Sequence, residues 1–249
     1  MKAYTIISAS LLSLVLNGLI VNEASASVAL DRTRVIVNGD ASTSLTVRNE
    51  NKELPYLAQA WIEDAAGKKI TSPMVVLPPL QRLEPGATSQ FKVEVLPAGK
   101  ALPQDRETLF YFNLREIPPR SKKSNTLQIA LQTRVKLFYR PVSLAVDKTG
   151  KAELWQEKMT LTRSGSGYLI NNPTPYYITV VGASSQLKGD DVAGFKPVMI
   201  PPNGQAPLAG SLTALGSSPV LTYVNDFGGR PQLTFGCHES ICQVVGSHK

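Results

Sequence analysis

Few residues in this chain have the types and spacing that reaction chemistry requires. Cys237 and Cys242 stand near the C-terminus with only His-Glu-Ser-Ile between them. Three readings compete for the pair: a disulfide, a metal site with His238, and a redox motif. A metal site would be short of ligands, because His248 is the only other histidine. A dithiol redox motif places two residues between its cysteines, and here there are four. Gly165-Ser166-Gly167 lacks the flanking spacing of a nucleophile elbow and lies in turn sequence. Neither a phosphate-cradling glycine loop nor a metal-binding helix motif occurs. The chain therefore reads as a binding protein and not an enzyme, with no cofactor and no metal.

Two other features are costly unless they serve a partner. In the run 127–136, Leu127, Ile129, Leu131, Thr133 and Val135 fall on one side of a strand. Gln128, Ala130, Gln132, Arg134 and Lys136 fall on the other. One reading is a strand with an apolar core face and a wet polar face. The other is an apolar edge offered to a protein that pairs with it by strand addition. The second feature is the pair of cations Arg34 and Lys136 at strand positions, where solvated surface charge is the ordinary fate of such residues.

The elements that would position these residues read as strands. Ser44–Val47, Tyr56–Ile62, Phe91–Val95, Leu109–Leu114 and Leu127–Leu137 are β-branched, aromatic or alternating runs. Asn38-Gly39-Asp40, Pro78-Pro79, Glu84-Pro85-Gly86 and Pro118-Pro119 punctuate them. A second series follows Pro141: Ser143–Val146, Leu154–Leu161, Tyr168–Ile170, Tyr176–Val181, Val198–Ile200, Val220–Val224 and Gln232–Phe235. No window offers a long amphipathic helix. Short strands at this spacing predict an all-β protein of two sandwich domains, over residues 27–142 and 143–249.

Composition agrees with that class. The 249 residues are 43% hydrophobic and 18% charged, which is globular rather than disordered. The net charge of +7 sits mostly in the front half, with 17 Lys and Arg against 11 Asp and Glu over residues 27–142. The cations are scattered, without an arginine-rich run interleaved with aromatics, so nucleic acid is a poor partner. Lys2, the apolar stretch from Ile6 to Val21 and Ala24-Ser25-Ala26 fit a signal peptide over 1–26, cleaved before Ser27. Asn17 and Gly18 interrupt the apolar stretch, which argues against an uncleaved membrane anchor. No other stretch is apolar enough to insert into a bilayer, and in an exported chain the cysteine pair reads best as a disulfide.

The run from Leu102 to Pro118, Leu-Pro-Gln-Asp-Arg-Glu-Thr-Leu-Phe-Tyr-Phe-Asn-Leu-Arg-Glu-Ile-Pro, resembles the signature of the PapD-like periplasmic pilus chaperones of the chaperone–usher pathway. Val28–Arg34, Tyr56–Trp61, Gln81–Gly86, Lys136–Pro141, Asn172–Tyr177 and Asn225–Pro231 continue the likeness over essentially the whole mature chain. The resemblance implies two immunoglobulin-like sandwiches set in an L or boomerang shape. It implies a periplasmic protein that caps pilin subunits by lending them a strand and hands them to an outer-membrane usher. Leu127, Ile129 and Leu131 would enter the pilin's groove, and Arg34 and Lys136 would hold its terminal carboxylate. Glu107, Arg140 and Asp226 match a charge cluster between the domains, and Cys237 and Cys242 match a disulfide. Weak self-pairing through the lent strand is a further expectation. The loop Arg115–Ser124 resembles the short-loop branch of the family, whereas Asp64–Lys69 and Ser184–Pro197 depart from its pattern. The rival reading is a structural pilus or adhesin subunit, which would normally be one domain with an N-terminal donor extension.

Overall fold

The computed structural model describes residues 27–145 and 154–248. The leader expected over 1–26 lies outside the described residues, as does the turn at Asp147–Gly150.

Residues 28–140 hold ten strands in two sheets. One sheet has the order β1 (Val28–Leu30), β3 (Thr43–Asn49), β8 (Thr88–Val95), β6 (Met74–Leu77). The other runs β2 (Arg34–Asn38), β10 (Gln132–Arg140), β9 (Thr108–Ile117), β4 (Tyr56–Glu63), β5 (Lys69–Ile70), with β7 (Leu80–Leu83) also on β4. Period-two alternation turns one row of each sheet inward. Val35, Val37, Leu45, Val47, Phe91, Val93, Phe112, Leu137 and Tyr139 are buried together between the sheets. Between Phe91 and Val93, Lys92 faces out and pairs with Glu94 at 2.6 Å.

Residues 160–248 form one eight-stranded sheet: β14 (Val198–Ile200), β13 (Ile178–Ser184), β16 (Val220–Val224), β17 (Gln232–His238), β18 (Ile241–His248), β11 (Thr160–Ser164), β12 (Gly167–Asn172), β15 (Gly204–Leu208). Its two end strands, β14 and β15, are consecutive in the chain. The sheet therefore turns back on itself around Leu161, Ile170, Val180, Leu221, Tyr223, Leu233 and Phe235. Irregularities in register at Val180/Gly182 and Thr234/Phe235 supply bends of the kind β-bulges give. At Gly182 a side chain would meet the Asp191 carboxylate at 2.9 Å and Thr222 at 3.1 Å, so the close strand approach needs glycine there. The only α-helix among the described residues is the single turn Leu212–Leu215. The fold is all-β, two immunoglobulin-like sandwiches in series.

Three sequence expectations are corrected. Val142–Leu144 is a 3-10 turn, so no strand starts at Ser143. Trp155–Lys158 is likewise a 3-10 turn, and the strand expected from Leu154 begins only at Thr160. The strand expected from Leu127 begins at Gln132. Gln132 pairs with Arg115, and the N–H of Glu116 donates to the Leu131 carbonyl at 3.0 Å. Carrying that register on would set Ile129 and Gln128 against Pro118 and Pro119, which have no N–H to give. The ladder stops where its donors run out.

Candidate functional site

β2 and β10 run parallel, and Arg34 is the Cα partner of Lys136. Adjacent strands lie about 4.8 Å apart, so the two cations start side by side. Their neighbours Val35 and Leu137 fill the core, which puts both cations on the opposite face. That face looks onto the second sandwich. Arg34 Nη1 donates to the Val224 carbonyl at 3.0 Å, and Lys136 Nζ donates to Thr179 Oγ1 at 3.0 Å. Thr179 and Val224 are themselves partners across β13 and β16, so one cross-strand pair meets another.

The electrostatics of this pair are unbalanced. Neither cation forms an ion pair within 4 Å among the described residues. Arg34 Nε is buried with no hydrogen-bond partner, the situation that native structures ordinarily avoid. Burial pushes the Arg34 guanidinium below its ordinary pKa, against the pull of Asp226 and Glu107. Burial, then repulsion from Arg34, drops Lys136 from 10.5 to about 8. Two positive charges and an unused donor share the junction of the two sandwiches, where the groups that accept from them, the Val224 carbonyl and the Thr179 hydroxyl, are neutral. A carboxylate entering there would relieve each of these costs.

Four residues beyond Lys136 on the same face of β10 comes Arg140, which is only 4% exposed. Its Nε donates to Glu107 Oε1 at 2.8 Å, and its Nη1 donates to Asp226 Oδ2 at 2.8 Å. Burial works against the Arg140 charge, but hydrogen bonds to Asp226 and the attraction of both carboxylates hold its pKa above the ordinary value. Glu107 is bound from both sides: its Oε2 accepts the Tyr177 N–H at 2.7 Å and its own N–H donates to the Pro175 carbonyl at 2.9 Å. Trp155 and Tyr176 stack at 4.3 Å and face the Arg140 guanidinium at 5.3 and 5.1 Å. Phe138 stacks on Tyr177 at 5.4 Å. Asn172 shapes the segment that supplies these groups: its Nδ2 donates to the Tyr176 and Pro201 carbonyls, and its Oδ1 accepts from Thr174. The structure thus brings Glu107, Arg140 and Asp226 together where the two sandwiches meet.

Leu127 and Ile129 stand at the other end of the β10 line, 85% and 64% exposed, with Leu131 less so. Residues 127–130 pair with no strand, and Leu131 is tied to β9 only through Glu116, whose N–H donates to the Leu131 carbonyl at 3.0 Å. Gln128 ties the segment to the preceding loop, donating to the Pro119 carbonyl at 2.6 Å and accepting from the Ser121 N–H at 3.2 Å. The core-face reading therefore applies to Val135 and Leu137 but not to Leu127 or Ile129, whose apolar surface remains in water. Cys237 and Cys242 form a disulfide across the β17–β18 hairpin, away from the cleft. No cluster of metal-ligating residues occurs among the described residues, and none of their helices is long and apolar enough to cross a membrane.

Sequence reasoning missed Thr179, the Val224 carbonyl and the Tyr177 N–H. The last lies inside the Asn172–Tyr177 motif, which singled out the segment but not its role.

Residues 27–145 match the family described as pili and flagellar-assembly chaperone, PapD N-terminal domain, and residues 154–235 match the pili assembly chaperone PapD, C-terminal domain. The chain is 54% identical to the probable fimbrial chaperone YfcS of Escherichia coli strain K12 over 222 residues, 89% of this chain and 87% of that protein. It is 49% identical to the chaperone protein PapD of Escherichia coli over 227 residues, 90% of this chain and 92% of that one. Its fold superposes with a TM-score of 0.70 and 26% identity on a chain from the Salmonella enterica SafA pilin in complex with the SafB chaperone, covering 86% and 97% of the two chains. Two sandwiches, a cation-lined cleft between them and matches to both halves lead to one conclusion: the chain belongs to the PapD family of pilus assembly chaperones.

Proposed function

We propose that this protein captures a pilin by lending it residues 127–131 as a missing strand and by holding the pilin's C-terminal carboxylate between Arg34 and Lys136. The observation that carries the reading is a pairing of two unmet needs, one on the segment leading into β10 and one on β2, the strand beside it. Leu127 and Ile129 expose apolar surface that this fold does not cover, and Arg34 Nε is buried without an acceptor. Burying each such aliphatic side chain is worth about 1.5–3 kcal/mol, less the ordering costs of association.

The two features also define a direction. A client strand that ends at Lys136 and covers residues 127–131 must run parallel to β10. At about 3.3 Å per residue, Leu131 lies roughly 17 Å and Leu127 roughly 30 Å from the anchor. The anchor sets register, because a slip by one residue would turn every client side chain to the wrong face. The Glu107–Arg140–Asp226 cluster keeps the second sandwich against the first, so that Thr179 and Val224 complete the cleft.

In this reading the protein works by binding rather than turnover. It acts in the periplasm after removal of the leader at 1–26, in an oxidising compartment where the Cys237–Cys242 bond persists. From there it delivers its client to an outer-membrane usher. The test is a titration of the mature protein with the C-terminal strand peptide of a pilin, as free acid and as amide. The acid should bind at least tenfold tighter, the worth of one charged hydrogen bond. Equal affinity for the two forms would remove the anchor.

A further inference from the structure

Phe227 is the most exposed large apolar side chain among the described residues, at 98%. Single exposed apolar residues are ordinary on protein surfaces, so what matters here is where this one is carried. The backbone that carries it is a turn fastened by a set of hydrogen bonds. Asn225 N–H donates to the Gly229 carbonyl at 3.0 Å, and the Asn225 carbonyl accepts the Gly228 N–H at 3.0 Å. Asn225 Oδ1 accepts the N–H groups of Phe227 at 3.0 Å and Gly229 at 2.8 Å. Gly228 takes a left-handed φ of 84°, and a side chain there would lie 2.8 Å from Thr33 Oγ1.

The same turn is fastened to the anchor. Val224, at its start, accepts the hydrogen bond from Arg34. Asp226, immediately before Phe227, is bound to Arg140. Gly228, immediately after, abuts Thr33, the neighbour of Arg34. Phe227 is therefore presented to solvent between two residues that both close on the first sandwich at the Arg34 end of β2.

We propose that Phe227 is a specificity-determining contact of the chaperone, taking an aromatic or large aliphatic side chain from the last two residues of the client. The proposal rests on the carboxylate anchor described above and adds a side-chain preference to it. Arg34 and Lys136 recognise a terminus that every chain possesses. The ring, carried on the turn that Arg34 holds through Val224, distinguishes one terminus from another. Its occupant is the client's tail, because Arg34 is bound to Val224 at the start of this turn, and a carboxylate docked on Arg34 would set the residues next to it near the turn.

The experiment uses soluble peptides of alternating valine and threonine whose last two residues are both phenylalanine or both serine, each as free acid and as amide. Affinities are measured for the mature protein and for Phe227→Ser, Phe227→Leu and Phe227→Tyr, after thermal unfolding shows that the variants keep wild-type stability. The wild type should prefer the phenylalanine-ending acid by about two- to tenfold, the range of an aromatic pair. Phe227→Ser should bring that ratio close to one, leaving affinity for the serine-ending acid unchanged. Phe227→Tyr should keep the preference and Phe227→Leu part of it. A preference that survives in Phe227→Ser overturns the proposal and leaves the anchor standing, provided that acid still binds tighter than amide. An equal loss for both peptides also overturns it, because the ring would then act without regard to side chain. Loss of the acid-over-amide difference in the wild type would overturn the anchor and this inference with it.

Discussion

Replacing Lys136 with methionine should stabilise the free protein while disabling capture. Methionine keeps most of the apolar stem and removes the ammonium that burial and Arg34 make costly. The fall from 10.5 to about 8 corresponds to at most about 3.5 kcal/mol, at roughly 1.4 kcal/mol for each tenfold. Partial solvent access and screening reduce the expected gain to about 1 kcal/mol. In a chain of this size that raises Tm by about 2–4 °C. The pH dependence has a defined sign. Folding lowers the lysine's proton affinity, so between about 8 and 10.5 the unfolded chain binds more protons and stability rises with pH. The penalty is fully present below about 8 and gone above 10.5, and Lys136→Met should lack this rise. Binding of a carboxylate restores the proton affinity, so wild-type capture should be strongest below pH 8 and weaken above it, while Arg34 stays charged. Scanning calorimetry across pH, paired with titration of a pilin C-terminal peptide, tests both halves. The peptide should bind about ten- to a hundredfold more weakly to the variant. A variant that melts at or below the wild-type temperature at pH 7, or binds the peptide as well as wild type, refutes the reasoning.

Three further outcomes follow from the geometry. Ile129→Ser should leave thermal stability within about 0.5 kcal/mol, because the side chain is already in water, yet reduce client affinity by roughly ten- to a hundredfold; a large stability loss would mean that the segment packs on its own fold. Arg140→Met should destabilise the protein by about 3–5 kcal/mol in urea titration, because Glu107 keeps a buried carboxylate without its cation, and unchanged stability would contradict a structural role for the cluster. Replacing Cys237 and Cys242 together by serine should cost about 2 kcal/mol, the modest value expected for so short a loop, and should leave peptide affinity intact, because the bond lies in the β17–β18 hairpin; weaker peptide binding by this variant would tie the hairpin to the cleft.

The sequence carried the strands with strong alternation and clear punctuation. Phe91–Val95, Val198–Ile200 and Val220–Val224 lie within or coincide with observed strands, because β-branched and aromatic runs between turns have few alternatives. It did not reveal β6 or β15 as strands: β6 has four residues, and β15 begins at a glycine and contains Pro207, so both depend on neighbours for their pairing. Trp155 reads as strand by propensity, but its ring stacks on Tyr176 and faces Arg140, and that tertiary contact accompanies a 3-10 turn instead.

For the site, residue type and family likeness were enough to single out Arg34, Lys136, Leu127, Ile129, Leu131, Glu107, Arg140 and Asp226, and alternation alone placed Val135 opposite Lys136. Period-two patterning says which face a side chain takes, but not whether anything covers that face. Only the folded arrangement decided that Val135 and Leu137 meet a core while Leu127 and Ile129 meet water, because Pro118 and Pro119 end the neighbouring ladder. Only the meeting of two sandwiches placed Thr179 and Val224 against the cations and left Arg34 Nε without an acceptor. Such contacts join residues more than forty positions apart, and no local pattern encodes which distant oxygen a buried charge will find.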